Sequence, residues 1–216
     1  MAEPARKFEQ PHERTTRLHA LGLEEKTLIE AIERGLAARQ TCTSFDPPSF
    51  PGTFQWAQTH RALRELLVRE QWSPDDSNNY SRVVSPDMAV AITVATGDEY
   101  TGIAGAMEPR TKHPKGSQTD LAIEINLQQL TIWPIPESGT STEPRARQAT
   151  WILLIATTVH EVRAELSCPS AQDQLGHVVA WSERIPLPPI EIDGIPIHRT
   201  DDDDEPPAID VPVERI

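Results

Sequence analysis

The most apolar segment of the chain, residues 151–159, constrains the fold more than any other feature. It reads Trp-Ile-Leu-Leu-Ile-Ala-Thr-Thr-Val and is far shorter than the roughly 20 apolar residues that a membrane span needs. A short, continuous apolar run with β-branched residues is typical of a strand that is buried on both faces. We therefore predict a central strand here, with the rest of a β-sheet built around it.

Further strands are predicted on both sides of this segment. Residues 88–95 are rich in β-formers and are bounded by turn residues, while residues 121–127 alternate between apolar and polar with a period of two. Residues 162–167 alternate again and return from the central strand as a hairpin. Residues 176–185 complete a mainly antiparallel sheet of about five strands.

Two helices are predicted before residue 80. Residues 24–40 and 54–72 each repeat apolar side chains along one helical face, and each run ends at prolines or turn-forming residues. Helices followed by strands favour the α+β class, with the helices covering one face of the sheet. We therefore predict a single α+β domain over residues 21–189.

Three further segments lack a regular pattern. Residues 1–20 are polar and are predicted to form a loose N-terminal arm. Residues 97–119 contain four glycines and two prolines, and they are predicted to form a long surface loop. Residues 134–148 are rich in Pro, Ser, Thr and Gly and are interpreted as a linker.

The C-terminal segment, residues 190–216, is predicted to be an acidic tail. Residues 191–216 contain nine acidic residues and two arginines, a net charge of −7. Residues 190–193 and 209–213 alternate apolar and charged side chains, so each can add as an edge strand to a partner or to the chain's own sheet. The unbroken acidic run, which is the candidate binding element, consists of Asp201, Asp202, Asp203, Asp204 and Glu205.

The overall charge and the cysteine content narrow the class of protein. A net charge of −13 opposes direct binding of nucleic acid, which depends on cations that neutralise phosphates. Cys42 and Cys168 are the only cysteines, and we interpret them as free thiols. The N-terminus has no apolar leader segment. We therefore expect a cytoplasmic protein that binds neither membranes nor nucleic acid.

Candidate catalytic residues are few. His160 and Glu161 stand next to the central strand, but a metalloprotease motif needs a second histidine where the chain has Ala164. Cys168 could pair with His160 or His177 as nucleophile and base, yet free cysteine is more often a small buried hydrophobe. Residues 97–105 contain glycines without the order of a phosphate-binding loop. We predict no catalytic residue, no metal ligand and no cofactor.

Carboxylates at the ends of the first strand keep one enzymatic alternative open. Asp87, Asp98 and Glu99 bracket residues 88–95, and clustered carboxylates are the ligands that hard divalent cations prefer. Turn-forming aspartates explain the same pattern. The alternative hypothesis is a metal-dependent hydrolase or nuclease.

Two features point to binding. Arg110, Lys112 and Lys115 lie on one loop of a strongly acidic chain, where they could bind a phosphate or an acidic patch, or act as counterions to the tail. Trp133 stands beside a proline in the linker, and we predict that it is exposed, because tryptophan is enriched at interface hot spots.

Several stretches resemble accessory proteins of bacterial phages, plasmids and integrated mobile elements. They are Val-Ser-Pro-Asp and the strand after it (residues 84–98), Pro-Arg-Thr-Lys-His-Pro-Lys-Gly (109–116), Val-Arg-Ala-Glu-Leu-Ser (162–167), and Trp181 with Arg-Ile-Pro-Leu-Pro (184–188). The resemblance implies a mobile-element setting and carries over no activity or site residue.

From these features we expect a non-enzymatic, acidic protein-binding module. In the mobile-element setting it would inhibit a host defence or nucleic-acid-processing complex, and its partner would be a protein with a basic surface. A third alternative is a structural or assembly component of a phage-like particle, with the tail as a strap between chains.

Overall fold

The computed structural model describes residues 4–105, 107–131 and 148–192. Within these residues the chain forms eight β-strands and four α-helices. In chain order the elements are β1 (Arg6–Lys7), α1 (Pro11–Ala20), α2 (Glu25–Arg39), α3 (Phe50–Val68), β2 (Ser73–Asp75), a 3₁₀ turn (Ser77–Asn79), β3 (Arg82–Val84), β4 (Val90–Thr96), α4 (Ser117–Thr131), β5 (Ala149–Thr157), β6 (Glu161–Gln172), β7 (Val178–Pro186) and β8 (Ile190–Glu191).

All eight strands belong to one mixed sheet. Its order is β1-β7-β6-β5-β4-β3-β2, and β8 pairs with β6 outside this path. Two neighbouring pairs, β4 with β5 and β1 with β7, are parallel, and the other pairs are antiparallel. The α+β class is confirmed. The sheet has eight strands where about five were predicted, and two of its strand pairs are parallel.

The predicted central strand is confirmed as β5. All of its side chains from Thr150 to Ala156 are buried, and it pairs with β4 on one side and β6 on the other. The strands predicted at 88–95, 162–167 and 176–185 correspond to β4, β6 and β7. Burial on both faces explains why the strand pattern at 151–159 is continuous and does not alternate.

The strand predicted at 121–127 is wrong, because this segment lies inside helix α4. The helix buries Ala122, Ile123 and Asn126, and it leaves Leu121 and Leu127 48% and 42% exposed. β4 and β5 are parallel, so the chain must cross from one end of the sheet to the other between them, usually through a helix. The need for this crossover connection outweighs the alternation of apolar and polar residues at 121–127, and the segment forms a helix.

The N-terminal segment is not a loose arm over its described residues. β1 pairs with β7, and α1 buries Leu18 completely. Arg17 binds Glu183 of β7 through Nε at 2.6 Å and Nη2 at 3.0 Å. Because α1 is short and buries a single leucine, its sequence has almost no periodic apolar pattern. The helix therefore could not be predicted from the sequence, and its contacts with β7 hold it on the sheet.

The two predicted N-terminal helices are confirmed as α2 and α3, although α3 begins and ends four residues earlier than residues 54–72. Together with α1 they cover one face of the sheet, where the larger core cluster lies. α4 covers the other face, where Ile123 packs with Ile152, Leu154 and Trp181. The expectation that helices cover only one face is therefore wrong.

The sheet also extends past the expected start of the tail. Ile190 and Glu191 pair with Val162 and Glu161 of β6, and Ile192 is 8% exposed. This agrees with the expectation that residues 190–193 can add as an edge strand to the chain's own sheet. The described fold therefore includes residues 190–192.

Candidate functional site

A cleft of about 440 Å³ lies at the carboxyl ends of β4 and β5. Because these strands are parallel, their carboxyl ends lie side by side, and this is where open sheets with parallel strands bind ligands. The end of α2, the first half of α3, the loop after β4 and the start of β6 supply the other walls.

Three cationic side chains line the cleft, and each comes from a different element. Arg39 is the last residue of α2 and is 8% exposed. Lys112 lies on the loop after β4, and its backbone N–H donates to the Thr96 carbonyl at 2.9 Å, which places it beside the end of that strand. The side chain of Arg163 on β6 is 16% exposed, and its Nε lies 3.4 Å from Glu161 Oε1. The fold thus gathers three positive charges around one concave surface.

Asp98 and Glu99 bring negative charge to the same cleft. The Asp98 carboxylate accepts the backbone N–H groups of Tyr100 and Arg110, both at 3.1 Å. Burial raises the pKa of Asp98 above its ordinary value, although these two N–H donors oppose the shift. Glu99 is exposed. Asp98 is therefore a firmly positioned hydrogen-bond acceptor at the edge of the cleft.

One wall of the cleft is an aromatic side chain that neighbouring elements hold in place. The Trp56 indole N–H donates to the Val94 carbonyl at 3.0 Å, and the His60 ring packs edge-on against Trp56 with centroids 6.0 Å apart. Next to it, Gln55 and Thr157 exchange hydrogen bonds of 2.9 and 3.0 Å. These contacts join α3 to β4 and β5, so the side chains of this wall are held in position without a ligand.

The structure separates the three cations of the predicted basic loop. Lys112 lines the cleft, whereas Arg110 lies 3.8 Å from Asp173. The backbone of Lys115 is tied to Gly176, with its N–H donating to the carbonyl at 2.7 Å. Of these three cations, Lys112 alone lines the cleft, so a ligand in the cleft does not contact all three side chains.

The carboxylates of the hydrolase alternative also separate. Asp87 closes the turn before β4, where it accepts hydrogen bonds from Ser85 Oγ at 2.6 Å and the Ala89 N–H at 3.0 Å. Asp98 follows the other end of this seven-residue strand, roughly 20 Å away at about 3.3 Å per residue. Across the described ranges, no group of three or more His, Cys, Asp or Glu side chains is placed to hold a metal ion.

The other candidate residues lie apart from the cleft. Cys168 is buried in the core beneath α1–α3, and burial raises its pKa to about 12. His177 donates a hydrogen bond from Nδ1 to the Thr111 carbonyl at 2.8 Å, and the His160 side chain is exposed in the turn between β5 and β6. Neither Cys42 nor Cys168 forms a disulfide, as expected.

Several predicted binding residues lie outside the described residues, and for these the sequence-based hypotheses stand as predictions. They are Trp133, Asp201, Asp202, Asp203, Asp204 and Glu205.

Sequence reasoning missed Arg39, Arg163 and Trp56 as members of a common site. Arg39 reads as an ordinary helix-end cation, Arg163 as a polar residue of an alternating strand, and Trp56 as core. No local motif joins them, because they come from three different elements and Arg163 lies more than 100 residues after Trp56.

Among the helices that the structure describes, none is sufficiently long and apolar to cross a membrane. Comparison of the chain with protein-family models, curated proteins and solved structures gave no match.

Proposed function

We propose that this protein binds a small organic anion in the cleft at the carboxyl ends of β4 and β5. One observation carries the proposal: Arg39, Lys112 and Arg163, from three separate elements, line one cleft of a chain whose net charge is −13. Hydrogen bonds from such cations to carboxylate or phosphate oxygens are roughly twice as strong as neutral ones.

The shape and polarity of the cleft support a small ligand. Its volume of about 440 Å³ is within the range of small-molecule sites, about 300–1,000 Å³. Asp98 accepts hydrogen bonds and so favours a ligand with a hydroxyl or amino donor near its anionic group. The charges of Asp98 and Glu99 also disfavour ligands with many negative charges.

Thermal denaturation with inorganic phosphate or ribose 5-phosphate tests the proposal. At ionic strength matched with sodium chloride, we expect the melting temperature to rise with probe concentration, because a ligand of the folded state stabilises it by mass action. Titration calorimetry should show binding weakened about five- to tenfold in Lys112→Gln and in Arg163→Gln, which each lose one charge-assisted contact.

Lys115→Gln is the matched control. It makes the same charge change on the same loop, but Lys115 does not line the cleft, so the affinity should be unchanged. If neither probe raises the melting temperature, or if all three variants weaken binding equally, the cleft is not an anion site.

A second candidate function, protein binding through the acidic tail, is favoured by the charge distribution. Residues 193–216 carry a net charge of −6, nearly half of the total of −13, within 24 residues. A dense acidic segment can occupy a basic surface on a partner protein, such as a groove that binds nucleic acid. This candidate corresponds to an inhibitor of a host complex in the mobile-element setting.

The test compares affinity capture from a bacterial host by the full chain and by residues 1–192. The truncation ends after Ile192, because β8 and Ile192 belong to the described fold. Loss of a captured protein with the truncated chain supports tail binding. Equal capture by both chains rules out the tail as the contact.

A further inference from the structure

We infer that the organic anion carries a planar heteroaromatic ring, as a nucleoside monophosphate does, and that Trp56 contacts this ring. The inference rests on the proposed anion-binding function and adds the class of ligand to it.

Trp56 is the residue that points to a ring. It lines the cleft together with the three cations, and it is only partly buried although it packs against the core. Its indole N–H is already bound to Val94, so what it offers a ligand is aromatic surface and no hydrogen bond. Stacking of a nucleic-acid base on such a side chain is typically favourable and tolerates any base.

The position of Trp56 is preorganised. Val94 is 4% exposed in the middle of the sheet, and the His60 ring supports the indole from α3. A ligand therefore does not have to order this side chain on binding, which removes a cost that flexible sites incur.

The remaining groups of the cleft match the other parts of a nucleoside monophosphate. Arg39, Lys112 and Arg163 supply donors for a phosphate, and Asp98 can accept from a ribose hydroxyl or a ring amino group. Residues 97–105 do not have the order of a phosphate-binding loop, so we assign the phosphate contacts to these three side chains. The net charge of −13 opposes a polynucleotide at the same place.

The experiment measures dissociation constants by titration calorimetry for inorganic phosphate, ribose 5-phosphate and the 5′-monophosphates of adenosine, guanosine, cytidine and uridine. We expect at least one nucleotide to bind ten times or more tightly than ribose 5-phosphate. Trp56→Leu should remove most of this gain and leave the affinity for ribose 5-phosphate within about twofold.

Two variants guard against a folding artefact. Trp56→Phe keeps an aromatic ring and should retain part of the gain, while Phe45→Ala removes an aromatic side chain that is 96% exposed and does not line the cleft. Phe45→Ala should bind like the unmodified protein. Circular dichroism and melting temperatures establish that each variant is folded.

Two results would overturn the inference, and they differ. If ribose 5-phosphate binds and every nucleotide binds no more tightly, the ring is not recognised, but the anion site stands. If none of the phosphates binds, the proposed function fails and the ligand class fails with it.

Discussion

Arg184 of β7 and Glu165 of β6 form a bidentate ion pair, with 2.9 Å from Nε to Oε1 and 2.6 Å from Nη2 to Oε2. Their side chains are 1% and 0% exposed. Ser167 Oγ also donates to Glu165, at 2.6 Å, and so does the Gly102 backbone N–H, at 2.9 Å. Through its hydrogen bond with Gly102, Glu165 therefore attaches the loop after β4, which also contains Lys112, to the sheet.

Removing one charge of this pair should strongly destabilise the protein. Glu165→Gln removes the carboxylate that is hydrogen-bonded to the buried Arg184, and we expect the free energy of unfolding to fall by about 3–5 kcal/mol. Urea denaturation measures it. Glu30→Gln is the control, because Glu30 pairs with Arg34 at 2.6 Å on the surface and should contribute less than about 1 kcal/mol. Similar losses in both variants would contradict this interpretation.

Gly102→Ala should weaken the packing of the loop against β6. Gly102 has a φ of +72°, and an added Cβ would lie 3.1 Å from the backbone N and O of Ala164. We expect a loss of about 2–4 kcal/mol, from left-handed backbone strain and from the close contact with the backbone of β6.

Gly105→Ala separates the two contributions to that loss. Gly105 has a φ of +69°, but a Cβ added there would have no neighbouring atom within 4 Å, so only the backbone strain of about 1–2 kcal/mol applies. Equal losses in the two variants, measured by urea denaturation, would show that contact with β6 is unimportant.

Gly35→Ala should destabilise the packing of α2 on α3. A Cβ at position 35 would lie 1.9 Å from Thr59 Oγ1 and 2.8 Å from the Gln55 carbonyl oxygen. In an exposed helix the change would gain about 1 kcal/mol, but here we expect a loss of about 3 kcal/mol. The reverse change at the exposed Ala37, Ala37→Gly, should cost only about 1 kcal/mol. A stabilised Gly35→Ala variant in thermal denaturation would refute the close approach.

The stability of the protein should fall as the pH decreases below about 6.5. Burial lowers the pKa of His60, and the hydrogen bond to the Ser81 carbonyl at 3.0 Å only partly offsets this shift. The unfolded chain therefore takes up this proton first, so stability is lost between about pH 6.5 and the lower pKa of the folded state. His60→Gln should flatten this part of a urea-denaturation series from about pH 7.5 to about pH 5.5. An unchanged slope would contradict the assignment.

Truncation should show that residues 190–192 contribute to the stability of the fold. We expect residues 1–189 to be about 1–3 kcal/mol less stable than residues 1–192, because the shorter chain loses β8 and a buried isoleucine. The Ile192 N–H also donates to the His160 carbonyl at 2.8 Å. Ile192→Ala in the full chain should reproduce much of the loss. Equal stability of the two truncated chains in urea would show that residues 190–192 do not stabilise the fold.

Part of the fold could be predicted because its signals are local. The segment 151–159 is apolar on both faces, and residues 24–40 repeat apolar side chains along one helical face, so each implies one structure wherever it lies. Within residues 121–127 the alternation of Leu121 and Ile123 fits a strand, whereas burial of Ala122, Ile123 and Asn126 follows the spacing of a helical face. The Asn126 side chain donates to the Thr150 and Pro169 carbonyls at 3.0 and 3.1 Å and accepts from the Thr150 N–H at 2.9 Å.

The candidate site was predicted only in fragments. Asp98 stood out as a carboxylate at a strand end and Lys112 as a cation in an acidic chain, and both line the cleft. Asp87 and Lys115, which were predicted to act with them, do not line the cleft. Strand β4 separates Asp87 from Asp98, and the loop turns away from the cleft between Lys112 and Lys115. Arg39 and Arg163 carry no local signal of a site.

The sequence by itself determined which segments are apolar enough to be buried, that the class is α+β, and that the chain is acidic, because burial and charge follow from composition and short-range periodicity. Only the tertiary structure decided that residues 117–131 form a helix, since a parallel β4–β5 pair requires a crossover. The same pairing places two carboxyl ends side by side, and packing of α2 and β6 around them brings Arg39 and Arg163, 124 residues apart, to one cleft.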